Sequence, residues 1–161
     1  MLNDLLNILS SRKSSATVFN QYTKKDVLNN LKLYLEYLVQ SKPKTLLVGE
    51  APGHLGCTIT GIPFTSGDIL MNSKHEFFVK NRKYFKLEKT LHENTATSFW
   101  SVFENQKSLP IIWNAFPFHP HMKDNLSSNR TPSKNEIEEG KEYLIMLDKI
   151  FNPKILIGIG R

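Results

Sequence analysis

Three short apolar runs constrain this chain more than any other feature: Thr45-Leu46-Leu47-Val48, Pro110-Ile111-Ile112-Trp113 and the segment KILIGI from Lys154 to Ile159. Each is continuous rather than alternating, the pattern of a strand buried on both faces, and each is separated from the next by segments with helical spacing. That order predicts an α/β fold, a three-layer sandwich with a mainly parallel central sheet. In such sheets ligands bind beyond the carboxyl ends of the strands. The first run ends at Gly49 and the second at Asn114, and a long irregular loop leaves from each.

The intervening segments supply the helices. Residues 2–10 read as a weak amphipathic helix, followed by the Ser-rich stretch Ser10 to Ser15, and residues 1–22 read as an N-terminal helix-and-loop extension. Thr23 with Asp26 suggests an N-cap box for a helix carrying Leu28, Leu31, Leu35 and Leu38. Pro43 should stop that helix near Ser41. Ile69 to Lys89 is mixed and partly helical, and Thr95 to Asn105 is predicted as a helix buried through Phe99, Trp100 and Phe103. The last helix is the best marked. Pro132 suits a first turn, and Ser133 with Glu136 forms a capping box. Ile137, Leu144, Leu147 and Phe151 make its inward stripe, Gly140 permits close approach, and Pro153 ends it. KILIGI is then expected as a third buried strand, with Gly160-Arg161 opening a loop. A hydrophobic strand rarely closes a domain, so further sequence downstream is expected.

With 161 residues, 40% hydrophobic and 22% charged, the chain has the composition of one globular domain spanning 1–161. Its apolar runs are too short to span a bilayer, and the N-terminus lacks the pattern of a secretory signal. A cytoplasmic, monomeric protein is expected. Cys57 is the only cysteine, which excludes an internal disulfide and any site built on several thiolates. The formal charge of +6 favours polyanionic partners such as nucleic acid, although simple solubility explains it equally well.

Two loops hold the residue types that can do chemistry. The first runs from Gly49-Glu50-Ala51-Pro52-Gly53 through Thr60-Gly61-Ile62-Pro63-Phe64-Thr65-Ser66-Gly67. It is not a P-loop, because no GK(S/T) closes it, nor a dinucleotide fingerprint, because the glycines at 49, 53 and 56 have the wrong spacing. It offers a tight turn with free amides, one carboxylate and one aromatic that can face a flat ligand. A purely structural turn with Phe64 in the core is the alternative. The second loop begins Trp113-Asn114-Ala115-Phe116-Pro117-Phe118-His119-Pro120-His121 and ends Asn129-Arg130-Thr131-Pro132. Asn114 has a donor and an acceptor on one amide, suited to a nucleobase edge, though an Asn capping a loop is commoner. His119 and His121 lack an acidic or thiolate partner at metal-ligand spacing, so neither metal nor cofactor is expected.

LLVGEAPG, then TGIPFTSG, WNAFPFHP and NRTPS together resemble the uracil-DNA glycosylase superfamily, closest to the bacterial branch with GE(A/G)PG, G(R/I)PF, N…(C/H)P and NRxP motifs. The resemblance runs from about Thr45 to the C-terminus. It implies a glycosylase-like fold and hydrolysis of the N-glycosidic bond of uracil, or a related altered base, in DNA. It implies that Gly49 to Gly53 form the water-activating loop, with Gly49, Ala51, Pro52 and Gly53 against the base. Glu50 becomes the candidate for positioning or activating water, Phe64 the stacking aromatic and Asn114 the amide that reads the base. Ser66, His119, Asn129 and Arg130 become DNA contacts, Arg130 with the adjoining helix N-terminus as a phosphate site.

The departures are informative. Ala51 stands where the best-known branch has its aspartate, which leaves the general base unassigned. Phe118 stands where thermophilic members carry one of four cluster-binding cysteines, so no iron–sulfur cluster can form. The family's last motif, a His-Pro-Ser loop, is not in this sequence. Two other readings therefore stand beside uracil excision: a DNA-binding module of the same fold without catalysis, and a glycosylase for another modified base.

Overall fold

The computed structural model describes residues 1–106 and 108–160; Arg161, at the expected loop opening, lies outside them. The first half contains α1 (Leu2–Ser11), β1 (Val18–Phe19), α2 (Lys25–Ser41), β2 (Thr45–Gly49), α3 (Cys57–Thr60), α4 (Gly67–Asn72) and α5 (Glu76–Asn81). The second contains α6 (Asn94–Phe103), β3 (Ile111–Asn114), β4 (His119–Pro120), α7 (Lys134–Phe151) and β5 (Ile155–Gly158). No helix among the described residues is long and apolar enough to cross a membrane.

The three apolar runs form one parallel sheet in the order β3-β2-β5. Leu46 to Gly49 lie beside Ile111 to Asn114, and Thr45 to Val48 lie beside Ile155 to Gly158. The chain crosses from β2 to β3 in one direction and returns past β2 to β5 in the other. Right-handed crossovers running in opposite directions put their helices on opposite faces, which makes three layers. Leu46, Ile111, Ile112 and Trp113 are buried with the inward leucines of α1 and α2 in one continuous core. Strand β5 departs from expectation. Among the described residues it pairs only with β2, and Ile155, Leu156 and Ile157 are exposed rather than buried.

Local signals explain most element ends. Helix α2 stops at Ser41, where Lys42 turns left-handed (φ 51°) just before Pro43. Its start differs from the expected box: Lys24 is the cap residue and makes no side-chain bond. Thr23 instead donates its hydroxyl proton to the Asn20 carbonyl, and Asn20 caps the short turn Gln21–Thr23 by accepting from the Tyr22 amide. Thr23 thus closes the turn before α2 instead of capping the helix. Strands β1 and β4, two residues each, pair antiparallel and tie the N-terminal segment to the second loop. Strands this short carry no readable period.

Helix α7 begins at the expected capping box, with Ser133 Oγ accepting from the Glu136 amide and Glu136 from the Ser133 amide. Arg130 grips the same carboxylate with two nitrogens at 2.6 and 2.7 Å, holding Glu136 down to a pKa of about 2. Gly140 is required because a Cβ there would collide with the Ala115 carbonyl, at the root of the second loop.

Two stability effects are expected. Gly140→Ala should cost about 1–3 kcal/mol, since overpacking against backbone outweighs the gain in helix propensity; chemical denaturation measures it. Because the folded pKa of Glu136 lies below its unfolded value of ~4.3, its contribution is full above that pH and is lost as pH falls toward 2. The stability gap between wild type and Glu136→Gln, measured by denaturation across pH 2–7, should accordingly close at the acid end.

Candidate active site

The register of β2 on β3 sets Gly49 beside Asn114 at the carboxyl edge of the sheet. The ladder runs one step further: the Ala115 amide donates to the Gly49 carbonyl (2.7 Å) and the Phe116 amide to the Glu50 carbonyl (3.0 Å). Beyond that step the two loops diverge around a cleft of about 360 Å³. Its wall includes Glu50, Ala51, Pro52, Gly53, Phe64, Asn114, Asn129 and Arg130, all singled out in the sequence.

Phe64 and Asn114 meet over Gly49. A Cβ on Gly49 would strike the Phe64 ring and sit 3.0 Å from Asn114 Oδ1, so only glycine leaves space for both. Phe64 is partly exposed, and Phe99 of α6 stacks on it with centroids 4.9 Å apart at 26°. Its backbone is left-handed (φ 54°), an unfavourable conformation for a bulky residue. The flanking chain holds it there: Thr65 donates to the Pro63 carbonyl, and its hydroxyl accepts from the Trp100 indole at 3.0 Å. The Asn114 side chain is almost fully enclosed, and among the described residues its amide has no hydrogen-bond partner. Glu50 is exposed at the rim.

Three expected DNA contacts are placed otherwise. Ser66 is fully buried, its Oγ accepting from the Ile69 amide as the cap of α4. His119 is also fully buried. Its ring nitrogens lie 2.9 Å from the Pro52 carbonyl and 3.0 Å from the Leu126 carbonyl, so it joins the two loops from within. Burial pushes its pKa down, against the pull of those carbonyls. Arg130 borders the cleft, but all five of its donors are taken: two by Glu136 and one each by the backbone carbonyls of Thr17, His121 and Thr131. It fastens the loop to α7 and to the N-terminal segment, and no N–H remains for a phosphate. Asn129 does reach the cleft, where its Oδ1 accepts from the His54 amide at 3.1 Å.

The sequence reading did not single out Glu93, which also lines the cleft. Burial raises its pKa from the ordinary carboxylate value, more than His54 lowers it. Only a position just before a helix marked it, and that is common for an acidic residue. Cys57 borders the cleft too, but burial pushes its thiol to about 12, so it stays protonated and is no nucleophile. Among the described residues no three His, Cys, Asp or Glu side chains converge as a metal-binding group.

Comparison with known proteins agrees with this architecture. The crystal structure of Pedobacter heparinus SMUG2 superposes with a TM-score of 0.61, covering 99% of this chain and 86% of that one. At 12% identity the match establishes the shared α/β fold. The sequence family described as the uracil DNA glycosylase superfamily, a group of DNA glycosylases, matches residues 36–161, which span both loops and the whole parallel sheet. By that match, and with its cleft at the strand ends, the chain belongs to the uracil DNA glycosylase superfamily.

Proposed function

We propose that this protein hydrolyses the N-glycosidic bond of uracil, or of a closely related altered base, in DNA. The observation that carries the reading is the convergence of the Phe64 ring and the Asn114 amide over Gly49, inside one cleft at the strand ends. A base within a duplex cannot be reached, so it must be extruded at a cost of a few kcal/mol. Stacking on an aromatic returns about 1–3 kcal/mol per base. Phe99 already covers one side of Phe64, which leaves the other for the extruded ring.

Asn114 supplies the specificity. A carboxamide donates to a ring carbonyl and accepts from the adjacent imide N–H, the pair that uracil presents on one edge. Its own enclosure without a partner makes a mismatched edge costly, because both amide groups then stay unpaired. As the C1′–N bond breaks, negative charge grows on the base and positive charge on the sugar. The amides of the Gly49–Gly53 turn suit the first, and Glu50 at the rim suits the second. The +6 chain charge supports attraction to a polyanion in this reading.

Asn114→Ala should lower single-turnover excision from a uracil-containing oligonucleotide at least ~100-fold, the scale of losing an essential donor at a reacting group. Binding of the same DNA should change only a few-fold. Alkaline cleavage of the abasic product and fluorescence anisotropy measure the two quantities. Wild-type-like excision by this variant would remove Asn114 from the assignment. Wild-type protein that binds this DNA but never yields an abasic site would instead mark a non-catalytic module.

Gly49→Ala should displace the Phe64 ring while leaving the sheet intact. The expected result is a loss comparable to Phe64→Ala, about 5- to 150-fold from removal of stacking. The double variant should lose little more than either single one, and excision kinetics on the three proteins check this non-additivity.

A further inference from the structure

We propose that Glu93 is the carboxylate that takes the proton from the attacking water, a role that rests on the hydrolytic reading above. Glu93 sits immediately before α6 and faces the same cleft as Phe64 and Asn114. It is half-buried, yet among the described residues its carboxylate accepts no hydrogen bond and only His54 offsets its charge. A carboxylate held from water without such compensation costs stability, and folded chains keep such groups chiefly where they act.

The loop makes room for it. A Cβ on Gly56 would collide with Glu93 Oε2, and a Cβ on Gly53 would lie 3.5 Å from Oε1. The carboxylate therefore lies directly against the turn that carries Glu50 to Gly53, with no side chain between them. The charged and titratable groups around it are few. His54 is on the turn, the protonated Cys57 thiol is at the start of α3, and the fully bonded Arg130 and the exposed Glu50 lie along the cleft wall. Desolvation outweighs the attraction of His54, so this carboxylate is a stronger base than one in water.

The step balances without any further reactant. The water oxygen bonds to C1′ as the C1′–N bond breaks, the bonding pair departs on the base, and the water proton passes to a Glu93 oxygen. The same negative charge stabilises the cationic sugar on the way.

The test uses Glu93→Gln in the full chain. Removing a half-buried charge that only His54 offsets should leave the melting temperature unchanged or higher, which excludes misfolding as the cause of any loss. Single-turnover excision of uracil should fall by about 10²–10⁴. The wild-type rate should decline as acid protonates Glu93, and the variant should lack that acid limb. In parallel, both proteins are titrated with oligonucleotides carrying a cationic pyrrolidine or a neutral tetrahydrofuran at the abasic position. Wild type should prefer the cationic sugar by about tenfold, and the variant should lose the preference, since a charge–charge contact is removed. An active wild type whose variant keeps rate, acid limb and preference overturns the role of Glu93 and leaves the hydrolytic reading standing. A wild type inactive on uracil overturns that reading instead. The pyrrolidine preference then decides Glu93: lost in the variant, the carboxylate faces the sugar; retained, it does not.

Discussion

The parallel rung that places Gly49 beside Asn114 is the contact on which the site depends. Two backbone bonds, Ala115 to Gly49 and Phe116 to Glu50, extend the ladder just past the strands and then end. Where pairing ends, each loop must find its own partners, and the gap between them becomes the cleft. A slip of one residue would send Asn114 to the opposite face and would remove the glycine from under Phe64. The chemistry is thus set by register before any loop is considered.

The strained backbone at Phe64 follows from that geometry. The Cζ and Cε2 edge of the ring lies against Gly49, and the backbone that carries it there is left-handed at Phe64. Such a conformation persists only where neighbours overdetermine it. Here α6 supplies them, with Phe99 stacked on the ring and Trp100 bonded to the adjoining Thr65. Thr60 donates to the Thr65 carbonyl from the other side. Helix α6 therefore positions the stacking surface and, through the residue that precedes it, carries Glu93 to the cleft.

Much of this was legible in the sequence, for physical reasons that also explain what was not. Continuous apolar runs marked β2 and β3 because doubly covered strands favour them, although β5 carries the same pattern exposed, and Ser133 with Glu136 marked α7 because reciprocal capping needs that spacing. Phe64 and Asn114 were legible because they stand at strand and turn positions that project into the cleft. Ser66, His119 and Arg130 are placed in internal contacts for a common reason. Polar side chains on irregular loops look like surface groups, but a loop that turns back on itself leaves backbone groups that those same side chains must satisfy. Ser66 caps α4, His119 joins two loops through their carbonyls, and Arg130 closes three segments onto Glu136. Glu93 was missed because its burial is a tertiary property: the glycines that admit it lie 37 and 40 positions upstream.

With Arg130 neutralised, the cleft wall holds two carboxylates and no available guanidinium. Any attraction of the +6 chain for a polyanion would then come from cationic side chains outside the cleft, whose own wall carries Glu50 and Glu93. That separation suits cleavage through a cationic sugar. In the proposed reaction phosphates would be drawn to the surface at large, and the sugar that becomes positive would meet a cleft wall carrying Glu50 and Glu93. A basic residue in the cleft would bind the backbone more tightly and oppose that charge. By holding Arg130 on Glu136, the fold keeps it from doing so.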